Sequence, residues 1–265
     1  MTLSLDAITL GVPEVNAAQE FYSAAFSPAA AAAAHGQYVD LDMHGAGRIA
    51  LHGAEALAAD ADVESATSGF RGYVMSCVVS QPSEVEALLD AAVLGGADVL
   101  KPAKKGLFGG FSAVCRAPDG AIWKLSAPTK KDTGPAAEPP VPTETAALLG
   151  VAAPTASKAF YAALGMTVDR DYGDKYIDFR PTPGTCRLGL MTRKALAKDA
   201  GVGEDGAGFR AVALNRRAES REEADSVLAA AASAGGRVVA AAETGGGYSG
   251  YFTDPDGFLW QVACA

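Results

Sequence analysis

The chain repeats itself, so whatever fold it adopts must be one that can be made twice. Leu10 to Phe26, LGVPEVNAAQEFYSAAF, returns as LGVAAPTASKAFYAALG from Leu149 to Gly165, with Phe21/Tyr22 falling on Phe160/Tyr161, 139 residues on. RIALHGAEALAADADV from Arg48 returns from Arg187 as RLGLMTRKALAKDAGV, and Gly69 to Arg71 returns as Gly208 to Arg210, both at the spacing of 139. After a short deletion, GGFSAVCRAPDGAIWKLSA from Gly109 matches GGYSGYFTDPDGFLWQVACA from Gly246, now 137 residues on. A spacing this constant over separated blocks marks a tandem duplication, and each copy must then be read as one unit.

Between the copies lies Ala127 to Thr143, APTKKDTGPAAEPPVPT, whose prolines remove backbone donors and whose small residues and lysines offer nothing to bury. The sequence therefore divides into a first domain at 1–126, a linker at 127–143 and a second domain at 144–265. Each copy reads as an apolar strand ending in Gly-Val, an amphipathic helix and short alternating strands such as YVDLDM and RIALHG. A second strand–helix–strand set follows and ends in a turn and a last strand. The expectation is an α+β fold of four βαβββ modules. Val15, Ala18, Phe21, Tyr22 and Phe26 share one helical face, as do Val85, Leu88, Leu89 and Ala92, and both faces should pack on a sheet. Pro-Asp-Gly at Pro118 to Gly120 and Pro255 to Gly257 predicts a tight turn before each last strand.

Composition narrows the function. A net charge of −9 without a clustered basic face opposes phosphate backbones and anionic membrane surfaces, so no nucleic-acid partner is expected. No apolar run approaches the roughly 20 residues that span a bilayer, and the opening MTLSLDAITLGV lacks a basic leader, so a cytoplasmic protein without a membrane partner is expected. Cys77, Cys115, Cys186 and Cys264 are scattered and form no CxxC or Cys/His cluster, which reads as free thiols. The alanine tract Ala29 to Ala34 carries no functional signal.

Taken together, the strand ending in Gly-Val, the helix with Phe-Tyr and the DPDGFLW run before the last strand resemble the vicinal oxygen chelate superfamily of glyoxalases, bleomycin-resistance proteins and extradiol dioxygenases. The resemblance covers nearly all of both copies and implies two cupped mixed-sheet domains in tandem. It also implies a divalent metal inside the cup, held by inward side chains from the first, fourth, fifth and last strands. At those positions the first copy offers Ala7, Ala50, Val74 and Lys124, and the second Ala146, Gly189, Ala213 and Gln261. Hydrocarbon side chains have no donor atoms and an ammonium repels a cation, so no metal and no cofactor are expected. A one-residue shift on the fifth strand would bring in Ser76 or Asn215 instead.

An emptied cup is a concave apolar cavity, the usual requirement for binding a small organic molecule. Strand alternation turns Ile122, Lys124 and Ser126, and likewise Leu259, Gln261 and Ala263, toward the cavity, with Trp123 and Trp260 facing the helices. Lys124 is the sharpest candidate, as a cation able to meet an anionic ligand, or else to pair with Asp40 or Asp42. Arg48 and Arg187, repeated on equivalent strands, add charge unless they form edge ion pairs. His52 ends a strand beside the cup, His44 lies in a turn, and His35 completes the three histidines. Tyr38, Tyr176, Tyr248 and Tyr251 can stack on a flat ligand or simply pack. The glycine-rich loops Lys104 to Gly110 and Glu243 to Gly247 fall where the family carries mouth segments. Ligand contacts are thus expected at Lys124, Gln261, His52, Arg48, Arg187 and Tyr251. The function expected is metal-independent binding of a small drug-like or natural-product-like molecule by a monomer. The alternative is a divalent-metal lyase, isomerase or dioxygenase with ligands supplied from elsewhere.

Overall fold

A computed structural model describes residues 2–34, 38–106, 110–244 and 247–264; His35 and parts of both glycine-rich loops lie outside the described residues. The first module holds β1 (Ala7–Val12), α1 (Val15–Phe26), β2 (Ala30–Ala34), β3 (Tyr38–Asp42) and β4 (Arg48–Gly53), followed by α2 (Ala54–Asp60) and the short β5 (Thr67–Gly69). The second holds β6 (Tyr73–Val78), α3 (Pro82–Leu94), β7 (Asp98–Lys105), β8 (Phe111–Arg116) and β9 (Ile122–Ala127). The third repeats the first as β10 (Glu144–Val151), α4 (Pro154–Ala163), β11 (Val168–Asp171), β12 (Ile177–Phe179) and β13 (Arg187–Thr192), with α5 (Arg193–Ala200) and β14 (Gly206–Gly208) after it. The fourth holds β15 (Val212–Arg217), α6 (Arg221–Ser233), β16 (Arg237–Thr244), β17 (Gly247–Thr253) and β18 (Leu259–Cys264). The βαβββ reading of the sequence stands in all four modules.

The sheets do not follow the copies. One eight-stranded sheet runs β16-β17-β18-β15-β1-β4-β3-β2 and the other β11-β12-β13-β10-β6-β9-β8-β7. Each curved sheet therefore joins one module from either copy, through antiparallel β1–β15 in the first, here cup A, and antiparallel β10–β6 in the second, cup B. The segments 1–126 and 144–265 each supply half of both cups rather than a cup apiece. The grouping of candidate ligands by copy is corrected accordingly: Ala7 and Ala50 share cup A with Ala213 and Gln261, whereas Val74 and Lys124 share cup B with Ala146 and Gly189.

Within a copy the modules meet back to back. Helix α1 lies against β3 and β4 of cup A, yet its Tyr22 and Phe26 rings pack on Trp123 of β9 in cup B. Tyr22 donates to Asp119 Oδ2 at 2.7 Å and accepts from Trp123 Nε1 at 3.3 Å. Tyr161 of α4 does the same with Asp254 Oδ2 at 2.6 Å and Trp260 Nε1 at 3.3 Å. Both tryptophans are fully buried on the helix side, as alternation predicts. A buried indole brings the largest apolar surface of any side chain, and its one donor is satisfied here by a phenol. The repeated Phe-Tyr pair and the distant Trp are thus one device, tying each helix to the sheet of the other cup. Positive φ at Gly120 (+88°) and Gly257 (+84°) confirms the predicted turns. No described helix is long and apolar enough to cross a membrane. No disulfide links the described cysteines, and Cys77, Cys115 and Cys186 are buried.

Candidate functional site

The concave face of each cup receives a short helix that the strand-based reading did not place there. Helix α2 enters cup A, where Leu57, Ala58 and Ala61 pack on Phe209, Ala213, Tyr251 and Leu259. Helix α5, 139 residues on, enters cup B, where Leu196, Ala197 and Ala200 pack on Phe70, Val74, Val114, Ile122 and Leu148. Both follow directly on a strand, so the strand's exit points them across the cup rather than around it.

The two helices are held differently. Thr192 caps the N-terminus of α5 by accepting from Ala195 N, and Gly201 ends it in the left-handed region. Lys101 Nζ donates to the Lys198 and Asp199 carbonyls at 2.7 Å, placing a cation on the negative end of the helix. Lys124 reaches Asp199 Oδ2 at 2.6 Å, so its partner is on the inserted helix and not Asp40 or Asp42. Deeper in cup B, Asp178 is fully buried and meets Arg170 at 2.9 Å and Arg187 at 3.3 Å, with Tyr176 donating to it at 2.9 Å. Arg187 also pairs with Glu144 and Asp169. Leu148 and Tyr176 occupy the space over Gly189 that a side chain there would need.

Cup A keeps its floor open. A cavity of 920 Å³ lies over Ala7, Asn215, Gln261 and Ala263 and is lined as well by Tyr38, Asp40, Arg48, Arg217 and Glu219. Arg48 holds Asp40 through Nη2 at 2.7 Å and reaches Asp42 at 3.7 Å, but Leu5 stands where the second copy has Glu144. Its side chain is 40% exposed against 11% for Arg187, so the same residue is a wall of a cavity in one cup and a buried strut in the other. Burial, with the Asp40 charge beside it, raises the Tyr38 phenol, which keeps it protonated at neutral pH.

Strand register decides which side chains face that cavity together. Asn215 sits opposite Ala7 on one side and opposite Gln261 on the other, so the inward fifth-strand residue is Asn215, with Ser76 beside Lys124 in cup B. This corrects the placement at Ala213 and Val74 by two residues, one pleat repeat. Asn215 Nδ2 donates to Thr9 Oγ1 at 2.7 Å, while its Oδ1 is shielded and meets no donor. Gln261 Nε2 donates to Tyr251 Oη at 2.9 Å and to Ser249 Oγ at 3.4 Å, and Tyr251 in turn donates to Asp60 Oδ2 at 3.1 Å.

Of the residues singled out from the sequence, Gln261 and Arg48 line cup A and Tyr251 stands behind Gln261. Lys124 and Arg187 belong to cup B and to its ion pairs. His52 lies at the end of β4, its ring edge-on to Tyr38 and its Nδ1 facing the Gly53 carbonyl at 3.1 Å. His44 contacts the Ser27 carbonyl, and Tyr248 points away from the cup to Asp225. Sequence reasoning passed over Asp60 and Asp199, although their occurrence at one repeat spacing was there to be seen.

The resemblance drawn from the sequence implies a divalent metal, and the residues present do not fit one. The floor of cup A offers a methyl group and two neutral amides, with the Arg48 guanidinium lining the same cavity. Cup B offers a methyl, a hydroxyl and an ammonium in the same row. Neither set contains the imidazoles or carboxylates that hold such ions. Among the described residues, no three His, Cys, Asp or Glu side chains are grouped to hold a metal.

Comparison with known proteins agrees with this fold. Residues 145–262 match the Glyoxalase/Bleomycin resistance protein/Dioxygenase superfamily. A presumed dioxygenase of Bacillus subtilis subsp. subtilis str. 168 superposes with a TM-score of 0.66 at 14% identity, covering 99% of this chain and 85% of its own. Glyoxalase I from Zea mays gives 0.64 at 17% identity, covering 98% and 92%. Similarity at this level concerns the fold alone. A search of curated proteins found no match to the sequence. Residues 145–262 thus match the glyoxalase/bleomycin resistance/dioxygenase superfamily directly, and the first copy repeats that segment in separated blocks, giving a tandem two-domain chain of this fold.

Proposed function

We propose that the protein binds a small organic molecule without a metal, and that it does so in cup A. The observation that carries this reading is the 920 Å³ cavity lying over Ala7, Asn215 and Gln261, at strand positions where the family resemblance implies metal ligands. That volume suits a drug-sized ligand, and its floor presents polar groups that orient a ligand without reacting with it. Cup B serves as a structural half, held by α5 and the Lys124–Asp199 pair. One chain completes both sheets, so the unit that binds is a monomer with one ligand.

Calorimetry and native mass spectrometry against a panel of aromatic natural products, with and without a chelator, test the reading. One ligand per chain at unchanged affinity in chelator is the expected result. Stoichiometric Zn, Ni, Mn or Fe in the purified protein, with binding or turnover lost on chelation, would replace it by a metal-dependent enzyme.

A further inference from the structure

The polarity of the cup A floor is set by a chain of hydrogen bonds that can run in only one direction. An ionised Asp60 only accepts, so Tyr251, 3.1 Å away, must give it the single phenolic proton. The Tyr251 oxygen can then only accept from Gln261, which obliges the amide nitrogen of Gln261 to turn toward it at 2.9 Å. Ser249 Oγ accepts from the same nitrogen at 3.4 Å. What remains for the cavity is the carbonyl oxygen, Gln261 Oε1. On the neighbouring parallel strand, Asn215 spends its own amide nitrogen on Thr9 Oγ1 and its Oδ1 is buried, so Gln261 Oε1 is the acceptor this row turns to the cavity. Asn215 and Gln261 are register partners on strands about 4.8 Å apart, so their side chains stand side by side. Ala7, the next residue in the row, gives neither a donor nor bulk.

Resting on the reading of cup A as a binding site, we propose that its ligand is recognised through an N–H donor group, a carboxamide, urea or amino-heterocycle edge, that meets the Gln261 carbonyl oxygen. A ligand offering only acceptors at that point, such as an ester or a carboxylate, sets its own oxygen lone pairs against the Gln261 carbonyl. Unmatched acceptors cost more than matched ones gain, so the discrimination exceeds what one hydrogen bond contributes in water.

The test compares naphthamide with methyl naphthoate, which share a ring system and differ in having or lacking N–H donors. Calorimetric titrations are run in chelator throughout. Wild-type protein is expected to bind the amide about tenfold more tightly or better. In Gln261→Leu the two probes should fall within about twofold of each other, because the oriented acceptor is gone. Tyr251→Phe keeps the cavity and the glutamine but frees the amide to turn over, so it should narrow the preference without abolishing amide binding. Equal affinity of the wild type for both probes overturns the donor assignment and leaves the binding reading in place. Failure of both probes to bind overturns the binding reading, and the donor assignment with it. An unchanged preference in Tyr251→Phe, with thermal melting showing a folded variant, removes the relay as its cause.

Discussion

Removing one leucine from each inserted helix should separate the two cups. Leu57 on α2 and Leu196 on α5 are repeat equivalents, 3% and 0% exposed. Truncating a buried leucine to alanine costs about 2–5 kcal/mol, more where the surroundings cannot close over the space. Leu196 is walled by Phe70, Val74, Val114, Ile122 and Leu148 from four strands and a loop, and its helix is held at its far end by Lys101 and Lys124. It cannot settle, so Leu196→Ala should lie near the top of that range, about 4 kcal/mol. Leu57 stands in a cluster rich in alanine in the cup that stays open, on a helix without a side-chain cap, so Leu57→Ala should cost about 2 kcal/mol. With a urea m-value of about 3 kcal/mol/M, the midpoints should differ from wild type by roughly 1.3 and 0.7 M. Urea titrations followed by far-UV circular dichroism and by the fluorescence of Trp123 and Trp260 supply the measurement. Leu57→Ala should also alter ligand affinity in cup A, whereas Leu196→Ala should leave it within about twofold. A cost under about 1 kcal/mol for Leu196→Ala, or an equal effect of the two variants on binding, would refute the reasoning that cup B is a packed half and cup A the site.

Arg187→Met strips a partner from the fully buried Asp178 and should cost about 3 kcal/mol in chemical denaturation, while Arg48→Met, opening a half-exposed pair, should cost less than about 1 kcal/mol. Ala7→Trp fills the floor of cup A and should abolish ligand binding in calorimetry with little change in melting temperature, because Ala7 faces the cavity rather than the core. Burial pushes the Asp254 carboxyl up to about 6, although Tyr161 and the Phe258 amide hold it down. Its folded value lies above its ordinary one, so the stability it contributes is complete below about pH 4 and is lost as pH rises through 6. Asp254→Asn should remove a loss of up to about 3 kcal/mol between pH 4 and 7, read as the difference between the two stability profiles.

Much of this architecture is legible in local pattern. The repeat, the four modules, the inward and outward faces of the last strands and the Pro-Asp-Gly turns all follow from spacing and alternation. Alternation places Trp123 and Trp260 against the helices because a period of two leaves them no other side. Sheet pairing is not local. Strands β6 and β15 carry the same kind of apolar run, and nothing in either says that β1 should join β15 across two hundred residues rather than β6 in its own copy. The inserted helices escape for a related reason, since an amphipathic segment such as Ala54 to Asp60 announces an apolar face but not which surface receives it. Lys124 illustrates the cost: its inward direction was readable, but its partner Asp199 arrives from the other copy on a helix whose destination was not. Asn215 lies two residues beyond Ala213 on the same face of the strand, and only the register of three strands settles its place beside Gln261.

The exchange of modules between copies has a consequence for the connecting segment. Residues 128–143 carry no helix or strand, yet Gln81 and Glu84 at the start of α3 bind their backbone at Thr133, Gly134 and Ala137. A protease cut there would yield two fragments, each with a long unpaired border on β1 and β6 or on β10 and β15. Such borders are adhesive, so the fragments should stay together after nicking, and either one expressed by itself should associate with a second molecule of its own kind. The tether then does no more than raise the local concentration of one half around the other, turning a bimolecular assembly into an intramolecular closure.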